Sequence, residues 1–284
     1  MRSILERYKK LVFKAKIRRY IKIFQEFSTQ KTGFLSVPKQ VRIAPVRLKR
    51  RENMIAVMSQ DVSNQFYHAT GIKSYPLKPY PHLDAPVASH ADMLICKIDK
   101  TVFCYNDYYL DNEEVFSKIK EEGYEIRFTT KKCNKVYPND IGLNALVIGK
   151  RIFCKKEHIA PEIIEYAKEN SYQIIDLNQG YSACSTLVLN EKTAITGDYG
   201  VQKVLLENDI RAELIDTSNI ILKGYNSGFI GGATGVHENK IYLFGNEEYF
   251  TENQNIMSII TEQNFDIIPI LHDQVYDFGG IKLF

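Results

Sequence analysis

Residues 92–106 read DMLICKIDKTVFCYN. Two apolar runs of strand length flank Asp99-Lys100, a polar pair of the kind that closes a tight hairpin. At 113–122 apolar residues fall at three- and four-residue spacing, which predicts an amphipathic helix. A further apolar run at 124–129 completes a strand–strand–helix–strand unit. The same order returns three times. ALVIG and RIFC at 145–154 precede a helix at 161–169 and a strand at 172–177. TLVLN and TAITG at 186–197 precede a helix at 201–208 and a strand at 211–215. FIGGATGV and KIYLFG at 229–245 precede a helix at 253–263 and a strand at 265–270.

The units begin near residues 92, 144, 185 and 228. A repeat spaced by 40–50 residues marks a repeat or propeller architecture. The remaining pieces supply a fifth unit once the termini are joined: a strand at 275–284, a strand at 54–58, a helix at 61–70 and a strand at 73–76. The predicted fold is therefore α/β, a five-fold pseudo-symmetric α/β propeller of these units over residues 41–284. Pairing of the N- and C-terminal strands closes the ring and removes exposed sheet edges.

The net charge of +3 hides an asymmetry. Residues 1–51 hold 16 Lys/Arg against 2 Glu, a charge of +14; the rest hold 21 Lys/Arg against 32 Asp/Glu, a charge of −11. Residues 1–40 read as a basic amphipathic helix and a linker, with Phe13, Ile17, Tyr20, Phe24 and Phe27 on one helical stripe. Such an arm fits a polyanion, an anionic membrane surface, or docking on its own acidic body. The five Cys include no CxxC pair and no secretory leader precedes them, so a reducing cytoplasm is expected. No apolar run approaches the length of about 18 residues that spans a bilayer, so no integral membrane segment is expected. His68, His82, His158, His237 and His272 lack metal-ligand spacing, and neither a metal nor a cofactor is predicted. The glycine-rich stretch at 228–235 lacks a phosphate-loop lysine and runs into a strand rather than a helix N-terminus. Close backbone approach along a narrow channel is the better reading of Gly231 and Gly232.

Five such units in a ring resemble the pentein, or guanidine-modifying enzyme, superfamily, and three short strings extend the resemblance. HADMLICKID at 90–99 is similar to the HxD strand of arginine and agmatine deiminases, where the His is an acid/base and the Asp holds the guanidinium. NALVIG at 144–149 is similar to the following blade. GYSACSTL at 180–187 is similar to the strand presenting the nucleophilic Cys of dimethylargininase-like members. Two departures stand out. Two further blades follow the Cys blade here, which makes the chain a circular permutation of the usual order. The superfamily's Glu-Gly-Gly-Asp strand has two partial counterparts: FIGGA at 229–233, which lacks both carboxylates, and DFGG at 277–280, which offers Asp277 in the blade that the cyclic order predicts.

The resemblance implies a cysteine-dependent hydrolase or amidinotransferase acting on a small cationic guanidino compound through a covalent thiouronium intermediate. Cys184 would be the nucleophile, His90 the acid/base and Asp92 the guanidinium anchor. Asp277 would orient His90 or bind substrate, and Gly231 and Gly232 would line the substrate channel. Plainer readings stand beside these. Cys184 reads equally as an inert strand cysteine, His90 and Asp92 as a strand-entry cap, and Asp277 as a turn residue. The alternative function is a non-catalytic pentein-fold binding protein that contacts RNA or the ribosome through the basic arm.

Overall fold

The computed structural model describes residues 54–284. The expectations for the arm at 1–40, and for its charge up to residue 51, lie outside the described residues. The described chain opens with β1 (Ile55–Ser59), α1 (Ser63–Thr70) and β2 (Lys73–Leu77). The next unit holds α2 (Ala91–Leu94), β3 (Cys96–Ile98), β4 (Thr101–Tyr105), α3 (Asn106–Asp111), α4 (Glu113–Glu121) and β5 (Glu125–Thr129). It is followed by β6 (Leu146–Ile148), β7 (Arg151–Cys154), α5 (Pro161–Glu169) and β8 (Gln173–Asp176). Then come β9 (Thr186–Asn190), β10 (Thr193–Thr196), α6 (Tyr199–Glu207) and β11 (Arg211–Leu214). The last full unit is β12 (Thr234–His237), β13 (Lys240–Leu243), α7 (Glu248–Thr251), α8 (Gln254–Glu262) and β14 (Asp266–Pro269), after which β15 (Lys282–Leu283) is the final strand.

Among the described residues these strands form five three-stranded sheets. In four of them the first strand runs antiparallel to the second, and the second runs parallel to the third across a helical crossover. The fifth sheet joins the two ends of the described chain in the order β15-β1-β2. Ala56 faces Leu283, and Ile55 and Phe284 exchange backbone hydrogen bonds of 3.0 and 2.9 Å.

Local chemistry explains the repeat. The central strands β1 and β4 are buried along their whole length, as near-continuous apolar runs require when both faces are covered. The helices show one apolar face each: Val115, Phe116 and Ile119 on α4, and Ile163, Tyr166 and Ala167 on α5. In α4, Glu113 and Glu114 sit in the first turn and Lys118 and Lys120 in the last, the arrangement the helix dipole favours. Pro161 opens α5, where its missing N–H costs nothing. One or two residues past the crossover helix of every unit stands a residue with positive φ: Gly71, Gly123, Ser171, Asp209 and Asn264. That left-handed residue turns the chain from the helix into the outer strand.

Three expected strands lose three or more residues, and all three losses lie at one place. Residues 91–94 are helical, with the Asp92 N–H donated to the Gly279 carbonyl at 3.0 Å and the Ile95 N–H to Ala91 at 2.9 Å. Residues 228–233 form a loop: the Gly232 N–H bonds the Cys184 carbonyl at 3.1 Å, and the Ala233 N–H turns back to Phe229 at 3.0 Å. The segment 275–284 keeps only β15 as strand, because Gly279 and Gly280 adopt φ of 78° and 71° and bend the chain. Regular pairing is lost where these three loops meet. No helix among the described residues is long and apolar enough to cross a membrane.

Candidate active site

The loops that replace the expected strands carry the predicted side chains. His90 precedes α2, and Asp92 lies in its first turn. Cys184 occupies the turn before β9, and Asp277 stands just ahead of the glycine bend. His90, Cys184 and Asp277 line one cavity of about 340 Å³. Asp92 and Gly231 line a second cavity of about 240 Å³. That cavity draws Lys97, Val147, Thr186, Gly235 and Lys282 from the first strands of all five sheets.

Asp277 is held rigidly. Its Oδ2 accepts the Phe229 N–H at 2.8 Å and its Oδ1 the Gly279 N–H at 2.9 Å. The same Oδ1 lies 3.7 Å from Nδ1 of His90, with both side chains buried. The glycines make room for this pair. A Cβ on Gly279 would lie 2.2 Å from the His90 Cβ, and one on Gly232 would lie 2.0 Å from Asp277 Oδ1. Gly231 presses on the carbonyl oxygens of Ala183, Cys184 and Thr186. Gly231 and Gly232 thus bring the 228–233 loop onto the Cys184 turn and onto Asp277.

Asn144, which in sequence only marks the start of a unit, organises the cysteine. Its Nδ2 donates to Cys184 Sγ at 2.8 Å and to the Asp92 carbonyl at 3.1 Å, while its Oδ1 accepts the Ala183 N–H at 2.8 Å. The Asp92 carboxylate is buried and neither oxygen has a hydrogen-bond partner among the described residues. The Cys184 thiol is near enough to interact with it without reaching normal hydrogen-bond geometry.

The electrostatics share one cause. Burial pushes the Cys184 thiol well above its ordinary range, and the charges of Asp92 and Asp277 push it further, against the hydrogen bond from Asn144. Burial raises the Asp92 carboxyl, partly offset by His90, and raises Asp277 to about 6 against its two N–H donors. Burial lowers His90, opposed by Asp92 and then Asp61. Burial thus disfavours the charged forms of the thiol, the imidazole and both carboxyls, with Lys282 easing Asp92 slightly. A thiolate held ready at rest, the usual mark of a catalytic cysteine, is not what this arrangement favours.

The raised carboxyls set a pH dependence. Between its unfolded and folded pKa a raised carboxyl keeps its proton in the native state and loses it on unfolding. Asp92 and Asp277 therefore withdraw stability as pH rises from about 4. The lowered pKa of His90 acts the other way, returning stability as pH climbs towards its unfolded pKa of about 6.5. Asn at position 92 keeps the shape and removes the charge. Asp92→Asn is expected to raise stability at pH 7 by about 1–3 kcal/mol and to change it little at pH 4, read by urea unfolding at both pH values. Equal stability of the two proteins at pH 7 would show that Asp92 has a partner after all.

Among solved structures the chain is similar to an amidinotransferase from Microseira wollei in the saxitoxin biosynthetic pathway, at 11% identity over 72% of each chain with a TM-score of 0.46. It is similar to DDAH from Pseudomonas aeruginosa complexed with citrulline, at 8% identity over 76% of this chain and 90% of that one, TM-score 0.46. It is also similar to agmatine deiminase from C. jejuni, at 10% identity over 76% and 74% of the two chains, TM-score 0.41. No curated protein matches the sequence. The profile of the Family of unknown function (DUF6873) matches residues 56–282, and the chain belongs to that family.

Proposed function

We propose that the five sheets form a pentein ring and that the protein is a cysteine-dependent enzyme acting on a guanidino-type small molecule. One observation carries this reading. His90, Cys184 and Asp277 face a single cavity, and beside the thiol stands Asp92, a buried carboxylate with no hydrogen-bond partner among the described residues. A buried unpaired carboxylate is costly and is retained where a cationic ligand completes it. A planar guanidinium supplies the charge and the paired N–H donors that a carboxylate binds best.

The chemistry then follows from the electrostatics. Entry of a cation offsets Asp92 and Asp277, whose charges add to burial in holding the thiol protonated, so substrate binding itself favours the thiolate. Cys184 Sγ bonds to the guanidinium carbon, and the thiol proton passes to His90. His90 returns that proton to the departing nitrogen as the C–N bond breaks, leaving a thiouronium on Cys184. Water, or an acceptor amine, attacks the same carbon with His90 taking its proton, and the S–C bond breaks. The first acceptor gives hydrolysis and the second gives amidino transfer. Asp277, 3.7 Å from Nδ1 of His90, steadies the imidazolium formed in between.

A second reading has its own support. A buried, neutral thiol also suits a ligand-binding site without catalysis. Alkylation separates the two. Chloroacetamidine carries the planar cation and a reactive carbon, whereas iodoacetamide is neutral. Chloroacetamidine is expected to label Cys184 at least about tenfold faster than iodoacetamide does, with the excess lost in Asp92→Asn, as peptide mass mapping would read. Equal labelling by both reagents, or none at Cys184, would favour the binding protein.

A further inference from the structure

The same cavity holds a second carboxylate that the chemistry above does not use. Asp140 lines it and is 7% exposed. Its Oδ2 accepts the Tyr181 hydroxyl at 2.6 Å. Its Oδ1 is buried with no partner among the described residues. The wall beside it is aromatic: the Tyr181 ring packs 5.9 Å from Phe229 and 5.6 Å from Tyr137, centroid to centroid. Further out, the Tyr225 hydroxyl donates to Asp84 at 3.1 Å. Leu222, Tyr225 and Asn226 also line an adjoining open groove of about 630 Å³ that carries Glu248, Glu252 and Asp273. Negative charge thus continues outward from the guanidinium end.

We propose that Asp140, oriented by Tyr181, is a subsite for a second cation, so that the preferred substrate is a guanidino compound whose far end carries an amine. This rests on the guanidino reading above and adds the nature of the substrate's other end. A protonated amine supplies the donor that Oδ1 lacks, and the rings of Tyr181, Phe229 and Tyr225 provide faces that attract a cation. Burial raises the Asp140 carboxyl, and a bound amine would bring it back down. The rival occupant is an amino-acid end, whose carboxylate would pair with Lys135, among the described residues the sole Lys or Arg lining the cavity.

Three probes test this on the full chain carrying Cys184→Ala, which blocks turnover: agmatine, with guanidinium and amine; n-butylguanidine, which lacks the amine; and arginine, which adds a carboxylate. Calorimetry is expected to show agmatine binding about 10–100-fold more tightly than n-butylguanidine, the worth of one charge-assisted contact. Adding Asp140→Asn should collapse that ratio towards 1, and Tyr181→Phe should reduce it; the second change keeps the test open if the first disturbs folding. Equal binding of agmatine and n-butylguanidine overturns the subsite and leaves the guanidino reading standing. Tighter binding of arginine than of agmatine also overturns it and assigns the far end to Lys135. Failure of all three to bind overturns both readings.

Discussion

Cys184→Ala is expected to lower kcat/KM for a guanidino substrate on the order of 10⁴-fold or more, the size of loss seen when a covalent nucleophile is removed. Among the described residues Cys184 is the sole cysteine lining the His90–Asp277 cavity. Cys96 and Cys154 are buried elsewhere and do not line that cavity, so neither can substitute. The structural cost of the change is small. Asn144 keeps its bonds to the Asp92 carbonyl and the Ala183 N–H when the sulfur is gone, and the cavity opened is about one atom in size. Binding of the substrate cation should survive, since Asp92 and Asp277 remain and their charge no longer acts on a thiol. Cys184→Ser should fail almost as badly, because a hydroxyl in the same anionic surroundings is far harder to ionise than a thiol. Steady-state kinetics beside calorimetry reads both halves. Activity above a tenth of wild type in either variant would mean that another group attacks the carbon, or that the reaction has no covalent step.

The sequence made the repeat legible because each unit is specified locally. Hairpin turns such as Asp99-Lys100, helix faces such as Val115–Phe116–Ile119 and central strands such as 101–105 follow from neighbours a few residues apart. The pairing of the two ends was legible by elimination, since an unpaired strand remained at each. The candidate residues came from the resemblance of three short strings to a known superfamily, and neither their local structure nor their electrostatics was legible. Asp92 sits in a helical turn because its N–H reaches Gly279, which is 187 residues away in sequence. The 228–233 stretch is a loop because it packs on the carbonyls of the Cys184 turn and around Asp277. Nothing local in the sequence places Asn144 beside the sulfur or Asp140 beneath Tyr181. The raised thiol is likewise the product of burial among distant segments and of two carboxylates delivered by other units. What depends on distant segments meeting is also what departs from regular structure, as functional sites commonly do.

Gly231→Ala should be among the most damaging single methyls in the described chain. The new Cβ would lie 2.3 Å from the Ala183 carbonyl oxygen and 2.6 Å from those of Cys184 and Thr186. All three are backbone atoms, so no side chain can rotate away. The loop must lift from the Cys184 turn, which strains the Gly232 N–H bond to the Cys184 carbonyl at 3.1 Å. It also pulls on the Gly280 N–H bond to the Gly232 carbonyl at 2.7 Å, and through it on the bend that sets Asp277. Overpacking against fixed backbone is expected to cost about 3 kcal/mol or more, and to lower Tm by about 10 °C in a domain of this size. Gly123→Ala is the control for backbone strain alone. Gly123 adopts φ of 82°, but a Cβ there meets nothing within 4 Å. Its cost should be about 1–2 kcal/mol, with kinetics like those of the parent protein. The contrast is sharpest at temperatures where both variants are folded: Gly231→Ala should have lost turnover and selective labelling of Cys184, and Gly123→Ala should have kept both. If the two variants melt together and retain equal activity, the 228–233 loop does not hold the Cys184 turn and Asp277 in register, and the site must be positioned by contacts other than these glycines.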